Sequence, residues 1–142
     1  MLRATLLAGF LAFGLTQAAH AATQHFAATL NGASEVPPHN VPGTGSLLAT
    51  YDTTTKMLTY TLTYEGLTGP ATAAHFHGPA KVGANAGVMV PMKDVTVQPI
   101  HGTATLTEPQ AKALESGMMY VNVHTAANPG GEIRGQVMKS AN

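Results

Sequence analysis

Two stretches, Ala74-His75-Phe76-His77-Gly78-Pro79-Ala80 and Tyr120-Val121-Asn122-Val123-His124-Thr125, carry the residue types best suited to chemistry. Residues two apart on a strand share a face, so His75 and His77 point one way and Phe76 the other. In the later stretch Val121 and Val123 take one face, and Tyr120, Asn122 and His124 the opposite one. If both stretches are strands of one sheet, Phe76, Val121 and Val123 can all be core while His75, His77 and His124 all face away from it. Imidazoles at i and i+2 are about 6.6 Å apart along a strand, close enough for their rings to lean towards one ion. Three such rings suit a transition metal. Without a thiolate the choice is copper, with zinc second, because copper binds tighter at equal geometry. No carboxylate in these segments points to calcium or magnesium.

The expectation is a surface site for copper made by His75, His77 and His124. Glu132, Arg134 and Gln136 share a face of what reads as the last strand, opposite Ile133 and Val137. Glu132, Arg134 and Asn122 are therefore candidates for holding an anion or a partner beside the metal. The competing account makes the three histidines structural, and makes Glu132–Arg134 an ion pair that pins a hairpin, with Glu35 a further acid for Arg134. On that account the chain is a non-catalytic module that holds an extracellular or periplasmic protein partner or a cell surface.

Strands must position these groups, and alternation supplies them. Gln24 to Asn31 places Phe26, Ala28 and Leu30 on one face. Thr44 to Tyr51 and Leu58 to Tyr64 read as a hairpin, the second arm setting Leu58, Tyr60, Leu62 and Tyr64 against Thr59, Thr61 and Thr63. Val88 to Met92 is a further extended run, Lys93-Asp94 a turn leading into Val95-Thr96-Val97, and Gly102 to Leu106 a short strand. Asn31 to Asn40 is too rich in breakers for a regular element, and its Glu35 and His39 read as solvated loop residues. A single helix is predicted after Thr107, with Thr107 as N-cap, Gln110 closing a capping box, Pro109 in the first turn and Gly117 as the stop. The turn Asn128-Pro129-Gly130-Gly131 then leads to a last strand, Glu132 to Met138. The fold class expected is all-β, a small antiparallel Greek-key-like sandwich with one short connecting helix.

Composition limits the function classes. The 142 residues suit one domain, and zero formal net charge with only 10% charged residues leaves no electrostatic footprint for nucleic acid. The absence of cysteine removes disulfides, thiolate ligands and a lipidated anchor. Met1-Leu2-Arg3, the apolar run Ala4 to Leu15 and the small residues Ala19 and Ala21 read as a secretory signal cleaved after Ala21. That run is too short to span a bilayer comfortably. The expectation is a bacterial periplasmic or secreted protein, residues 22–142 forming one domain with no membrane span after cleavage. Six methionines beyond Met1 are scattered along the chain and read as core filler. His25, His39 and His101 read as surface residues, His39 being near enough to serve as a spare ligand. Nothing around the serines suggests a hydrolase.

Leu30-Asn31-Gly32-Ala33-Ser34-Glu35-Val36-Pro37-Pro38, the His75-Phe76-His77 stretch, and Tyr120 to Thr125 through Asn128-Pro129-Gly130-Gly131-Glu132-Ile133-Arg134-Gly135-Gln136 together resemble the CHRD (chordin) domain. The resemblance covers nearly all of residues 22–142. It implies an exported module, of a kind found in animal growth-factor antagonists and in short bacterial proteins. A second resemblance concerns the site alone. His-x-His on one strand, a later Val-x-Val-His, a Gly-rich turn and an arginine are similar to the copper site of Cu,Zn superoxide dismutases. It implies His75, His77 and His124 as copper ligands, Arg134 as an anion-guiding side chain, and a superoxide dismutase-like activity. No bridging histidine, Asp-rich zinc loop or disulfide accompanies them, so the implied site is copper-only.

Overall fold

The computed structural model describes residues 22–141. The segment read as a signal, residues 1–21, lies outside the described residues. Eight strands follow in order: β1 Thr23–Asn31, β2 Thr44–Asp52, β3 Met57–Glu65, β4 Ala71–His77, β5 Val88–Pro91, β6 Ile100–Thr105, β7 Met119–Thr125 and β8 Ile133–Lys139. One helix, α1 Glu108–Glu115, lies between β6 and β7.

The strands pair in the order β5-β4-β7-β8-β1-β2-β3-β6, every pair antiparallel. Hairpins join β1, β2 and β3, after which the chain crosses to β4 on the other half of the sheet and returns to β6 beside β3. The sheet is curled on itself. Tyr60 on β3 and Phe76 on β4 are five places apart in that order, yet their rings meet edge to face at 5.2 Å. The inner faces thus close on each other as in a sandwich, with Phe26, Leu30, Leu47, Leu58, Leu62, Phe76, Val121, Val123 and Ile133 buried between them. Alternation explains this placement, since each of these residues lies on the apolar phase of its strand.

Helix α1 closes one end through Ala111, Ala113 and Leu114. The Thr107 N–H donates to Gln110 Oε1 at 2.8 Å, one arm of the predicted capping box. Gly117 adopts φ +69°, which ends the helix in the conformation a glycine takes most readily. Val95-Thr96-Val97 forms a turn. The Asn31–Asn40 segment contains a single 3-10 turn, Gly32–Ser34, capped by Asn31 Oδ1 accepting from the Ser34 N–H at 2.9 Å. No helix among the described residues is long and apolar enough to cross a membrane.

Candidate metal centre

Strands β4 and β7 pair in a register that sets His75 opposite Asn122 and His77 opposite Tyr120, with Ala73 opposite His124. All three histidines project from the face turned away from the core, as alternation requires. One ring nitrogen from each of His75, His77 and His124 lies within 4.8 Å of those from the other two. The closest pair is His75 Nδ1 and His124 Nε2, 3.1 Å apart. His75 and His77 meet edge to face with ring centroids 5.4 Å apart.

The expected surface position is corrected by burial. His77 and His124 are each 8% exposed, and only His75 keeps intermediate access to solvent. Every residue of β7 is buried, its outward face included. The cause is the chain that folds over this face. The segment after β4 carries Ala84, Asn85 and Ala86 back across it, and Asn85 Nδ2 donates to the Val36 carbonyl at 3.1 Å, tying that segment to the loop after β1.

These covering segments also fix the two buried rings. His77 Nδ1 lies 3.0 Å from the Ala86 carbonyl oxygen, and His124 Nδ1 lies 2.9 Å from that of Pro129. A carbonyl oxygen only accepts, so each Nδ1 carries the hydrogen and a neutral ring presents a bare Nε2. Metal-binding histidines characteristically spend their second nitrogen in this way. The His77 ring also stacks on Tyr120, with centroids 4.8 Å apart and planes 2° from parallel. Burial, then the neighbouring His124 and His77, lower the His75 pKa. Burial is also the largest influence on His77, whose pKa falls despite the hydrogen bond to the Ala86 carbonyl. The His75 and His77 rings are therefore neutral at neutral pH, the form that ligates.

Asn122 sits at the centre of the cluster, 2% exposed. Its Oδ1 lies 3.0 Å from His77 Nε2 and 2.9 Å from His124 Nε2. Behind it is Glu35, which is 5% exposed rather than solvated as the loop composition suggested. Burial raises the Glu35 pKa to about 7, against the pull of the Arg134 charge, the Val36 backbone and the Asn122 amide. Glu35 Oε1 is buried without a hydrogen-bond partner among the described residues.

Arg134 and Glu132 do not pair. Arg134 is 2% exposed and spends Nη1 on Asn85 Oδ1 at 2.9 Å and Nη2 on the Ala84 carbonyl at 2.5 Å. Its guanidinium carbon lies over the Tyr120 ring. The Glu132 carboxylate, fully buried, instead accepts from the Thr68 N–H and hydroxyl, the Thr125 hydroxyl and Asn128 Nδ2. Burial alone would raise its pKa, but these hydrogen bonds outweigh it and hold Glu132 below the ordinary carboxylate value. The residues diverge because Glu132 precedes β8 and faces the turns at Thr68 and Asn128, whereas Arg134 lies within β8 opposite Asn122.

Residues 26–137 match the CHRD domain. The chain belongs to the CHRD domain family. No curated protein and no solved structure matches it.

In this CHRD domain the three histidines, Asn122, Arg134 and Glu132 all lie at or next to the β4–β7–β8 part of the sheet. His25, His39 and His101 stand apart from the cluster, and His101 Nδ1 meets only the Thr61 hydroxyl at 3.0 Å. Sequence reasoning named Glu35 as a further acid for Arg134 but missed its burial beside Asn122, and it missed the part Tyr120 plays. Tyr120 had a usable signal, since it shares the histidine face. The Ala86 and Pro129 carbonyls had none, because a main-chain acceptor leaves no trace in residue type.

Proposed function

We propose that this CHRD domain is an exported metal-binding protein that holds one copper ion through His75, His77 and His124, with zinc as the alternative ion. The observation that carries this reading is the tethering of both buried rings by Nδ1 to main-chain carbonyls, leaving two bare Nε2 atoms beside the third histidine. Two oriented neutral imidazoles and a third with solvent access make a donor set that fits a borderline transition ion. The set contains neither thiolate nor carboxylate. His75, as the most accessible of the three, gives the ion its route of entry.

Copper bound there would supply one-electron chemistry, and a superoxide dismutase-like activity is part of the proposal. The protein's own contribution is orientation. Ala86 and Pro129 aim two ligand rings, Tyr120 stacks one of them, and the segment after β4 limits water on that side. Export rests on the basic and apolar segment Met1–Leu15 with the small residues Ala19 and Ala21.

Titration calorimetry and copper EPR on the purified residues 22–142 test the reading. The expected result is one copper per chain, with nitrogen couplings from several imidazoles. Each of His75→Ala, His77→Ala and His124→Ala should weaken binding far more than His25→Ala or His101→Ala. Acid should weaken it too, because imidazole must shed its proton to ligate. Full-affinity binding in the triple mutant would move the site elsewhere. Binding of neither copper nor zinc would leave the partner-binding module as the better reading.

A further inference from the structure

We propose that Asn122 Oδ1 is a fourth donor to the same metal, and that Glu35 holds the Asn122 amide in the donating orientation. This rests on the three-histidine reading.

The argument begins with hydrogen-bond accounting. The Nδ1 hydrogens of His77 and His124 are committed to the Ala86 and Pro129 carbonyls. Each neutral ring therefore offers a lone pair at Nε2 and no hydrogen there. Asn122 Oδ1, 3.0 Å and 2.9 Å from those two atoms, also offers only lone pairs. His77 Nε2 and Asn122 Oδ1 thus meet in a buried place with no proton between them, and His124 Nε2, which can accept from His75 Nδ1 at 3.1 Å, faces the same oxygen. Buried polar groups without a partner of opposite character are costly and rare, and a cation shared by all three removes the conflict. The amide oxygen stands as close to the two rings as His75 and His124 stand to each other, so it belongs to the same donor cluster.

The amide could avoid the conflict by turning over and giving its NH2 to the two rings. Glu35 opposes that. A Cβ built on Gly131 would lie 2.6 Å from Asn122 Nδ2 and 2.4 Å from Glu35 Oε1, so the amide nitrogen and the carboxylate flank one spot. The flipped amide would turn its oxygen towards Glu35 Oε1, a buried acceptor without a hydrogen-bond partner among the described residues. The observed orientation presents NH2 to the carboxylate and oxygen to the histidines, so the acid in the loop after β1 selects the face that the amide shows the metal. Glu35 acts through Asn122 and is a positioning residue.

Copper binding and EPR on four variants of residues 22–142 test this, with circular dichroism and thermal unfolding of the metal-free proteins as the folding control. Asn122→Ala should weaken copper binding about tenfold or more and change the g and hyperfine values. Asn122→Asp keeps an oxygen donor of the same reach, so it should retain tight binding with a spectrum shifted by the added charge. Glu35→Ala frees the amide to turn and should move the spectrum towards that of Asn122→Ala. Glu35→Gln keeps an acceptor oxygen and should restore most of the wild-type spectrum. Wild-type affinity and spectrum in folded Asn122→Ala would overturn the fourth donor while leaving the three-histidine reading intact. A wild-type spectrum in Glu35→Ala would overturn the positioning role. If wild type itself binds no metal, the three-histidine reading fails and takes this inference with it.

Discussion

The Arg134 guanidinium carbon lies 3.3 Å from the centroid of the Tyr120 ring, and that same ring stacks on His77. A buried cation, an aromatic ring and the His77 imidazole thus form one packed series across β8, β7 and β4. Arg134 also holds Asn85 and the Ala84 carbonyl, so it fastens the segment that covers the site. The segment in turn supplies the Ala86 carbonyl that orients His77. Arg134 therefore reaches the site twice, through Tyr120 and through Ala86, while offering almost no surface to solvent.

Arg134→Ala should lower stability by about 3 kcal/mol, from the lost cation–π contact and two charge-assisted hydrogen bonds. Copper stoichiometry should stay the same, because a protonated guanidinium cannot ligate. Affinity should drop as His77 loses its support. Urea denaturation of Arg134→Ala, Tyr120→Leu and the double variant would give a coupling energy of about 1–2 kcal/mol if the ring contact matters. A coupling near zero would reduce Arg134 to its loop contacts.

The histidines should differ in metal-free stability although all three are proposed ligands of one metal. His77 is buried, stacked and hydrogen-bonded through Nδ1, so His77→Ala should cost about 2 kcal/mol. His75 has access to solvent and, among the described residues, no main-chain partner for its ring, so His75→Ala should cost under about 1 kcal/mol. Copper should raise the wild-type melting temperature by mass action and raise neither variant's by as much. Equal metal-free stabilities, measured by thermal unfolding, would contradict this ranking.

The strands, the helix and the shared face of the histidines were legible in the sequence because each depends on local periodicity or capping. Phe76, Val121 and Val123 fell in one phase, and that phase fixed where His75, His77 and His124 must point. What covers that face was not legible. Glu35 sits among Gly, Ser and Pro residues that elsewhere mark solvated loop, and its burial depends on β7, β8 and the Asn85–Val36 contact, distant in sequence. The separation of Glu132 from Arg134 was hidden for a related reason. Two residues apart reads as one face only while the strand continues, and β8 begins at Ile133.

Glu132 gives the fold an acid-sensitive tie. Its carboxylate gathers donors from Thr68, Thr125 and Asn128, joining the β3–β4 connection to the turn after β7. Its folded pKa lies below the unfolded value near 4.5, so its stabilisation is fully present above about pH 4.5 and is lost as pH falls through the folded pKa. Glu132→Gln should cost about 2 kcal/mol at pH 7, since an amide nitrogen replaces one accepting oxygen. The gap between wild type and variant in chemical denaturation should narrow on acidification. A gap that stays constant from pH 7 to pH 3 would show that the charge is not what matters.

Gly131 links turn geometry to the interior of the site. It adopts φ +129°, a conformation side chains rarely accept, and a Cβ there would stand 2.4 Å from Glu35 Oε1 and 2.6 Å from Asn122 Nδ2. Gly131→Ala should therefore cost about 2 kcal/mol or more, partly from the backbone and partly from collision with Glu35 and Asn122. The two parts are separable. Glu35→Ala removes the nearer obstacle and leaves the backbone cost in place, so Gly131→Ala should be less damaging in a Glu35→Ala background than in wild type. Copper affinity should follow the collision, because displacing Asn122 disturbs the oxygen beside His77 and His124. Urea denaturation of the two single variants and the double variant measures the first effect, and copper titration of Gly131→Ala the second. Strict additivity of the two substitutions would mean that the glycine serves the turn alone.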